Sequence, residues 1–205
     1  GSSSLKRQGS GGFKEIDDVA IAAPLTKYSA SITDGTRIRE FVDKAYRIAT
    51  AWPDPTHMAE VLELACNSKK PVLIAGGGVK YSNAQDELKE FLDITKVPLV
   101  VTQAGKSVLV EKDEQNLGSI GVTGSSSANA IISDADFIIS VGSRLQDFTT
   151  GSNGLIKAPV YSINVQAHDL TKHQSKPILG DAKVSLQLLK ALSTNYKVTS
   201  GYISK

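Results

Sequence analysis

The sequence predicts an α/β fold whose centre is a doubly wound parallel sheet of the Rossmann type. Five short segments are almost continuously apolar and rich in branched residues, which is typical of strands buried on both faces. Segments with apolar residues at helical spacing alternate with several of these strand segments. Successive strand–helix–strand units are connected right-handedly, so they build a parallel sheet covered by helices on both faces.

The predicted strands are apolar runs bounded by glycine, proline or charged residues. They cover residues 71–75, 97–102, 136–142, 159–165 and 176–180. Residues 103–120 contain no comparable run, and they are predicted to form a long glycine-containing loop. This loop leads from the second strand to the helix that precedes the third.

Helices are predicted where apolar residues recur every three or four positions. These segments are residues 34–51, a helix that begins at Pro55, residues 83–95, a helix after "GVTG", and residues 182–192. Asp54 and Asp181 precede two of them and are suited to cap their N-termini. Ser82 and Gln85 have capping-box spacing at the start of another.

Composition excludes several classes of protein. The formal net charge is +2 with the basic residues scattered, so neither a nucleic-acid partner nor a membrane surface is expected. Cys66 is the single cysteine, and the three histidines lie far apart in the sequence, so no disulfide and no zinc site is predicted. No signal peptide opens the chain, and a cytoplasmic location is the expectation.

Ligands of doubly wound sheets bind at the carboxyl ends of the strands, so the turns that follow the strands are the candidate site. They are "GGG" (76–78), "TQAGK" (102–106), "GVTG" (121–124), "GSRLQDF" (142–148), "NVQAHD" (164–169) and "GDA" (180–182). Glycines allow a ligand to approach the main chain, and helix N-termini offer free N–H groups to phosphate. The turns therefore indicate a nucleotide site.

Two well-known nucleotide motifs fail, however. Gly76 and Gly78 match the first two glycines of the dinucleotide fingerprint, but Tyr81 occupies the third position, and the next strand ends in an amide instead of a ribose-binding acid. "QAGKS" ends like a phosphate-binding loop, but Val100 stands where its first glycine is required. Both comparisons disfavour an NAD site and an NTPase.

Arg144 is the most informative single residue, because it follows a strand and two small residues at the expected ligand edge. Its guanidinium could pair with phosphate or stack on a ring, or it could form a surface ion pair with Asp147. Asp181 has two readings as well, a helix cap and a ligand contact. No nucleophile–base arrangement and no carboxylate pair stands out, so no catalytic residue is predicted.

The turns taken together resemble the central domain of thiamine-diphosphate-dependent enzymes. The strings that carry the resemblance are "PVLIAGGGVKYS", "TQAGKS", "NLGSIGVTGSSSANA", "ADFIISVGSRLQDFTTGS" and "GDA", in this order. They cover roughly residues 56–193. The strings "TQAGK", "GVTG" and "RLQDFTTGS" are most similar to the trihydroxycyclohexanedione hydrolases of inositol breakdown, and the acetolactate synthases share the pattern more loosely.

The resemblance divides the chain into four parts. Residues 1–12 are a flexible segment, 13–52 resemble the C-terminal piece of a pyrimidine-binding domain, 53–193 are the central domain, and 194–205 are a tail. The strand and linker that the family has between the two domains are missing at "WPDPT". The catalytic glutamate and the metal-binding motif of the family are also not found in this sequence.

The resemblance also implies cofactors and partners. Family enzymes hold thiamine diphosphate with magnesium across a dimer interface and break or form a C–C bond next to a carbonyl group. Their central domain carries FAD or ADP in some members and nothing in others. By position, the nucleotide contacts would be Gly76, Gly77, Gly78, Thr102, Gln103, Thr123, Gly124, Gly142, Ser143, Arg144, Asn164, Val165, Gly180 and Asp181. Partners would be the missing pyrimidine- and pyrophosphate-binding domains or a second copy in a homo-oligomer.

Three hypotheses for the function remain at this point. The chain is a fragment or truncated relative of such an enzyme, inactive alone, that supplies the central nucleotide-binding or structural domain. Alternatively, it is a stand-alone module that binds ADP or FAD without catalysis. The third hypothesis, an NAD-dependent oxidoreductase, is disfavoured by Tyr81 and by the missing acid. Whether the chain is itself an enzyme is therefore left open by its sequence.

Overall fold

The structure is a computed structural model that describes residues 16–22, 26, 28–49, 53–110 and 112–196. The chain divides into two compact units, Gly1–Thr50 and Ala51–Lys205. The flexible segment predicted at residues 1–12 lies outside the described residues, as do residues 197–205 of the predicted tail.

The first unit contains two helices and a single 3-10 turn among its described residues. They are α1 (Asp18–Ala22), the turn Gly35–Arg37 and α2 (Ile38–Ala49). The Asp34 carboxylate accepts a hydrogen bond from the Thr36 N–H at 2.9 Å and thereby caps the turn. Ile38 and Val42, two apolar residues of α2, are 52% and 56% exposed.

The second unit is built on a six-stranded parallel sheet with the order β3-β2-β1-β4-β5-β6. Its strands are β1 (Pro71–Ala75), β2 (Leu99–Val101), β3 (Asn116–Ser119), β4 (Phe137–Val141), β5 (Val160–Asn164) and β6 (Lys176–Leu179). β2 and β3 lie on one side of β1, and β4, β5 and β6 lie on its other side. The predicted doubly wound, Rossmann-like sheet is confirmed.

Burial explains why most strands were visible in the sequence. Every residue of β1, β4 and β5 is buried, so these strands are mostly apolar. β6 lies at one edge, and its first two residues are exposed. The opposite edge strand, β3, was predicted to be part of a loop, which is wrong. Its four residues are half-buried and include Gly118, so they lack the apolar run of a central strand.

Six helices of the second unit are described. They are α3 (Pro55–Asn67), α4 (Gly77–Tyr81), α5 (Gln85–Thr95), α6 (Ser126–Asp134), α7 (Asp147–Thr150) and α8 (Ala182–Leu192). Two 3-10 segments, Ala167–Gln174 and Ser193–Asn195, accompany them, the first broken by non-helical backbone at Lys172 and His173. Among the described residues, no helix has the length and apolar character needed to cross a membrane.

The helices cover the sheet on both faces. On one face, α3, α5 and α8 pack apolar side chains against the sheet, including Met58, Phe91 and Leu189. On the other face, α6 packs Ala128 and Ile132 against a second apolar cluster. Because both faces are covered, a ligand can reach the sheet only at its edges or at the ends of its strands.

Two of the predicted helix caps are confirmed and one is wrong. The Asp54 carboxylate accepts the Thr56 N–H at 2.8 Å and caps α3. The Asp181 carboxylate accepts N–H groups at the start of α8. The capping box of Ser82 with Gln85 does not form: the Ser82 hydroxyl donates to the Gly78 carbonyl at 2.7 Å, because Ser82 ends α4, a helix that the sequence analysis missed.

Candidate functional site

The glycine turns after β1 and β4 meet at the point where the strand order reverses. The register pairs Ala75 with Val141, so the next residues along the two strands, Gly76 and Gly142, come together. The Gly76 N–H donates to the Val141 carbonyl and the Gly78 N–H to the Gly142 carbonyl, both at 2.9 Å. The two turns are therefore bonded directly to each other.

This contact requires the absence of side chains. A Cβ atom on Gly76 would lie 2.4 Å from the Gly142 oxygen, and one on Gly78 would lie 2.7 Å from the Gly142 Cα. Gly142 itself has a φ of +62°, a conformation that residues with side chains rarely adopt. The space that a ligand would need beside these glycines is occupied by the facing turn.

Gly77, the middle glycine after β1, packs in the same way against the turn after β2. A Cβ atom on Gly77 would lie 3.0 Å from the Ala104 Cβ. Thr102 is buried, and its hydroxyl oxygen accepts the Gly105 N–H at 3.1 Å. Thr102 thus fixes the turn and does not face solvent, whereas the next residue, Gln103, is exposed.

Gln103 connects the turns after β2 and β3. Its side-chain amide donates a hydrogen bond to the Thr123 hydroxyl, and both residues are exposed. Gly124 packs against the backbone, since a Cβ atom there would lie 2.4 Å from the Ser119 oxygen. Gln103 and Thr123 therefore offer polar groups at the carboxyl edge of the sheet, while Gly124 has a packing role.

Arg144 is exposed on the turn after β4. No ion pair joins its guanidinium to Asp147 or to another carboxylate in the described part of the chain. It is the single arginine between residues 48 and 205. Of the two readings that the sequence left open, the ion pair with Asp147 is absent, and a planar, charged donor group points to solvent at the edge where ligands bind in such sheets.

The remaining predicted contacts are already used within the protein. Asn164 is buried, and its amide donates to the Ser143 carbonyl at 2.9 Å while its oxygen accepts the Gln166 N–H at 3.1 Å. Ser143 is also buried. Val165 is half-buried at the end of β5. These residues hold the turns in place, and contact with a ligand remains a prediction for them.

Gly180 and Asp181 form the junction between β6 and α8. The Gly180 N–H donates to the Asn164 carbonyl at 3.1 Å, and a Cβ atom there would lie 2.7 Å from the Ser185 hydroxyl. The Asp181 carboxylate accepts the N–H groups of Lys183 at 3.0 Å and Val184 at 3.3 Å. The capping reading of Asp181 is therefore confirmed.

Sequence reasoning missed two basic residues beside the turn after β4. Lys172 donates to the Arg144 carbonyl, and His173 contacts the Leu145 carbonyl. Both belong to the connection between β5 and β6, which carries no recognisable motif. Only the fold brings these residues next to a turn 28 positions earlier in the chain.

A separate ionic cluster lies near the amino-terminal ends of β5 and β6. The Tyr161 hydroxyl donates to the Glu60 carboxylate at 2.5 Å, and the Lys176 ammonium lies 2.7 Å from that hydroxyl. Burial, together with the Glu60 hydrogen bond, raises the pKa of Tyr161, and the hydrogen bond from Tyr161 lowers the pKa of Glu60. The cluster ties α3 to the sheet at the end opposite the candidate site.

No metal site is present among the residues that the structure describes: no group of three or more His, Cys, Asp or Glu side chains could hold an ion. The exposed Gln103, Thr123 and Arg144 side chains at the carboxyl edge can form hydrogen bonds, and Arg144 carries a positive charge. Chemically, this set can bind an anion or a polar ring edge.

Comparison with known proteins gives one matching family. Residues 58–192 match the family described as "Thiamine pyrophosphate enzyme, central domain". Three similar proteins are 3D-(3,5/4)-trihydroxycyclohexane-1,2-dione hydrolases. The protein of Clostridium perfringens (strain ATCC 13124) is 40% identical over 162 residues, 77% of this chain and 25% of the relative.

The other two hydrolases have similar sequence identity and coverage. The protein of Clostridium botulinum (strain Alaska E43) is 39% identical over 165 residues, 79% of this chain and 26% of the relative. That of Bacillus thuringiensis (strain Al Hakam) is 38% identical over 152 residues, 73% of this chain and 24% of the relative. The chain thus spans about a quarter of the length of the curated relatives it matches.

Proposed function

Since the chain belongs to the thiamine pyrophosphate enzymes and corresponds to their central domain, we propose that it serves a longer enzyme that hydrolyses a C–C bond of a cyclic 1,2-dione. The resemblance predicted from the turn sequences is confirmed by the family match. The substrate class is supported by the name of the relatives, trihydroxycyclohexane-1,2-dione hydrolase.

The described residues offer no site for thiamine diphosphate. The cofactor needs a metal ion for its diphosphate, and the described residues contain no carboxylate or histidine set that could bind one. The proposed contribution of the chain is structural support and ligand binding within the longer enzyme.

The purified chain is expected to be inactive alone. Supplied with thiamine diphosphate and Mg²⁺, it should not consume trihydroxycyclohexane-1,2-dione, because the described residues provide no metal site for that cofactor. Absorbance of the dione would be followed, with the hydrolase of Clostridium perfringens as the positive control. Thiamine-dependent turnover by this chain would contradict the proposal.

We further propose that the carboxyl edge of the sheet binds an adenine nucleotide, either ADP or the ADP part of FAD. The observation that carries this proposal is the exposed Arg144 guanidinium, which lacks an ion-pair partner among the described residues. Arg144 would pair with the diphosphate. Gln103 and Thr123 are two further exposed polar groups of this edge, and they would meet the sugar or the base.

The test is a calorimetric titration of the chain with ADP and with FAD. Replacing Arg144 with alanine should weaken binding by about ten- to a hundredfold, since a hydrogen bond to a charged group contributes about 1.5–3 kcal/mol. Lys157→Ala is the matched control: it removes one exposed positive charge just before β5, at the opposite end of the strands, and should leave the affinity unchanged.

A purely structural carboxyl edge is the second candidate, and the contact between the glycine turns favours it. Gly76 and Gly78 face Gly142 instead of an open cradle. In that case the turns only shape the surface on which other parts of the enzyme pack. Absence of ADP and FAD binding to the wild-type chain would overturn the nucleotide proposal in favour of this one.

A further inference from the structure

Three successive carbonyl groups after β4 each contact a side chain from one distant segment, residues 164–173. The pairs are Asn164 Nδ2 to Ser143 O at 2.9 Å, Lys172 Nζ to Arg144 O at 3.1 Å, and His173 Nε2 to Leu145 O at 3.0 Å. A carbonyl oxygen only accepts hydrogen bonds, so the third contact requires a hydrogen on Nε2 of His173. The turn that carries Arg144 is thus held along its main chain.

The donors are themselves fixed. The Lys172 ammonium also donates to the Asp169 carboxylate at 2.5 Å, and Asp169 is buried with 6% exposure. The Asn164 amide is oriented by the Gln166 N–H, which its oxygen accepts. Since a buried carboxylate strongly favours a charged partner, Lys172 has little freedom to leave the turn.

The turn needs such support because its backbone is strained. Leu145 has a φ of +41°, which is rare for a residue with a side chain, yet it is buried with 1% exposure in the apolar cluster beneath α6. Its N–H donates to the Ser143 hydroxyl at 3.1 Å. Turning the Leu145 side chain inward leaves the preceding side chain, Arg144, directed to solvent.

We propose that Asn164, Lys172 and His173 form a positioning clamp that fixes the Arg144 side chain for its ligand. The proposal rests on the proposed nucleotide function only for the identity of that ligand. The clamp holds the main chain of Arg144 and leaves its guanidinium free, so it restricts where the charge is presented without neutralising it. The ammonium of Lys172 is engaged with Asp169 and the turn, and it is a positioning group instead of a second ligand contact.

Hydrogen exchange of the Leu145 amide tests the clamp without any ligand. His173→Leu removes the donor, and the double variant Lys172→Met with Asp169→Asn removes the second donor without leaving a buried charge unpaired. Each should speed exchange of the Leu145 amide about tenfold, the loss of roughly one hydrogen bond. The Leu73 amide, bonded within the sheet to the Pro98 carbonyl, should be unchanged.

A conservative variant supplies the rescue. His173→Gln keeps an N–H donor of similar reach and should restore slow exchange at Leu145. Unchanged exchange at Leu145 in His173→Leu would overturn the clamp. Equal acceleration at Leu145 and Leu73 would overturn it as well, because the effect would then be general destabilisation.

Titration with ADP separates the clamp from the nucleotide function. If the wild-type chain binds ADP, His173→Leu should weaken binding about tenfold, and should have no further effect in an Arg144→Ala background, because the clamp acts through Arg144. Equal weakening in both backgrounds would contradict positioning. If the wild-type chain binds no ADP, the nucleotide proposal fails, whereas the exchange at Leu145 still decides the clamp.

Discussion

Replacing Gly76 with alanine should destabilise the second unit by about 3 kcal/mol, at the upper end of the range for overpacked sites. The new methyl group would lie 2.4 Å from the Gly142 oxygen and 2.5 Å from the Ser143 Cα. Both are backbone atoms, so neither can rotate away as a side chain could. The turns after β1 and β4 would have to separate, which breaks the hydrogen bonds between them.

Urea unfolding followed by far-ultraviolet circular dichroism measures this effect. Gly35→Ala makes the same chemical change in the first unit, where a Cβ atom has nothing within 4 Å, and it should leave the free energy of unfolding of the second unit unchanged. Wild-type stability of Gly76→Ala would show that the two turns part at little cost. They could then open to admit a ligand, and the packing explanation for the glycines would be wrong.

The glycine turns show what the sequence could predict and what it could not. The alternation of strands and helices placed Gly76 and Gly142 at the carboxyl edge correctly, because that inference needs only local patterns and the handedness of connections. Whether a glycine faces a ligand or a neighbouring turn depends on distances between segments 66 positions apart. Local patterns contain no information on such distances.

The elements that the sequence missed are those with the weakest local signal. β3 has no apolar run because it is a half-buried edge strand, and α4 begins with Gly77 and Gly78, residues that disfavour helices. The central strands and α8 were predicted within one or two residues. The strands are buried on both faces and the helix along one face. Their apolar residues therefore follow a regular pattern that can be recognised in the sequence.

At the candidate site, too, some residues could be predicted from the sequence and others could not. Arg144 was identified because it follows a strand, and the sequence could state both of its possible roles. Its supports could not be found in this way. Lys172 and His173 lie in a connection without a motif, and their contacts with the turn depend on how the broken 3-10 segment folds back over β5.

Replacing Phe91 with alanine is expected to have a still larger effect, a loss of about 3–5 kcal/mol of stability. Phe91 on α5 is fully buried between that helix and the sheet, within the apolar cluster that α3 and α8 share. Truncation removes an aromatic ring and leaves a cavity that closely packed neighbours cannot fill. At about 2–4 °C per kcal/mol, the melting temperature should fall by roughly 6–20 °C.

Phe148→Ala is the matched control, because the chemical change is the same at a position that is 53% exposed at the carboxyl edge. It should cost less than about 1 kcal/mol, since little packing is lost at the surface. A small effect at Phe91 would mean that α5 does not pack against the sheet as described. A large effect at Phe148 would mean that its ring is buried by contacts in solution, and the carboxyl edge would then be covered instead of open to a nucleotide.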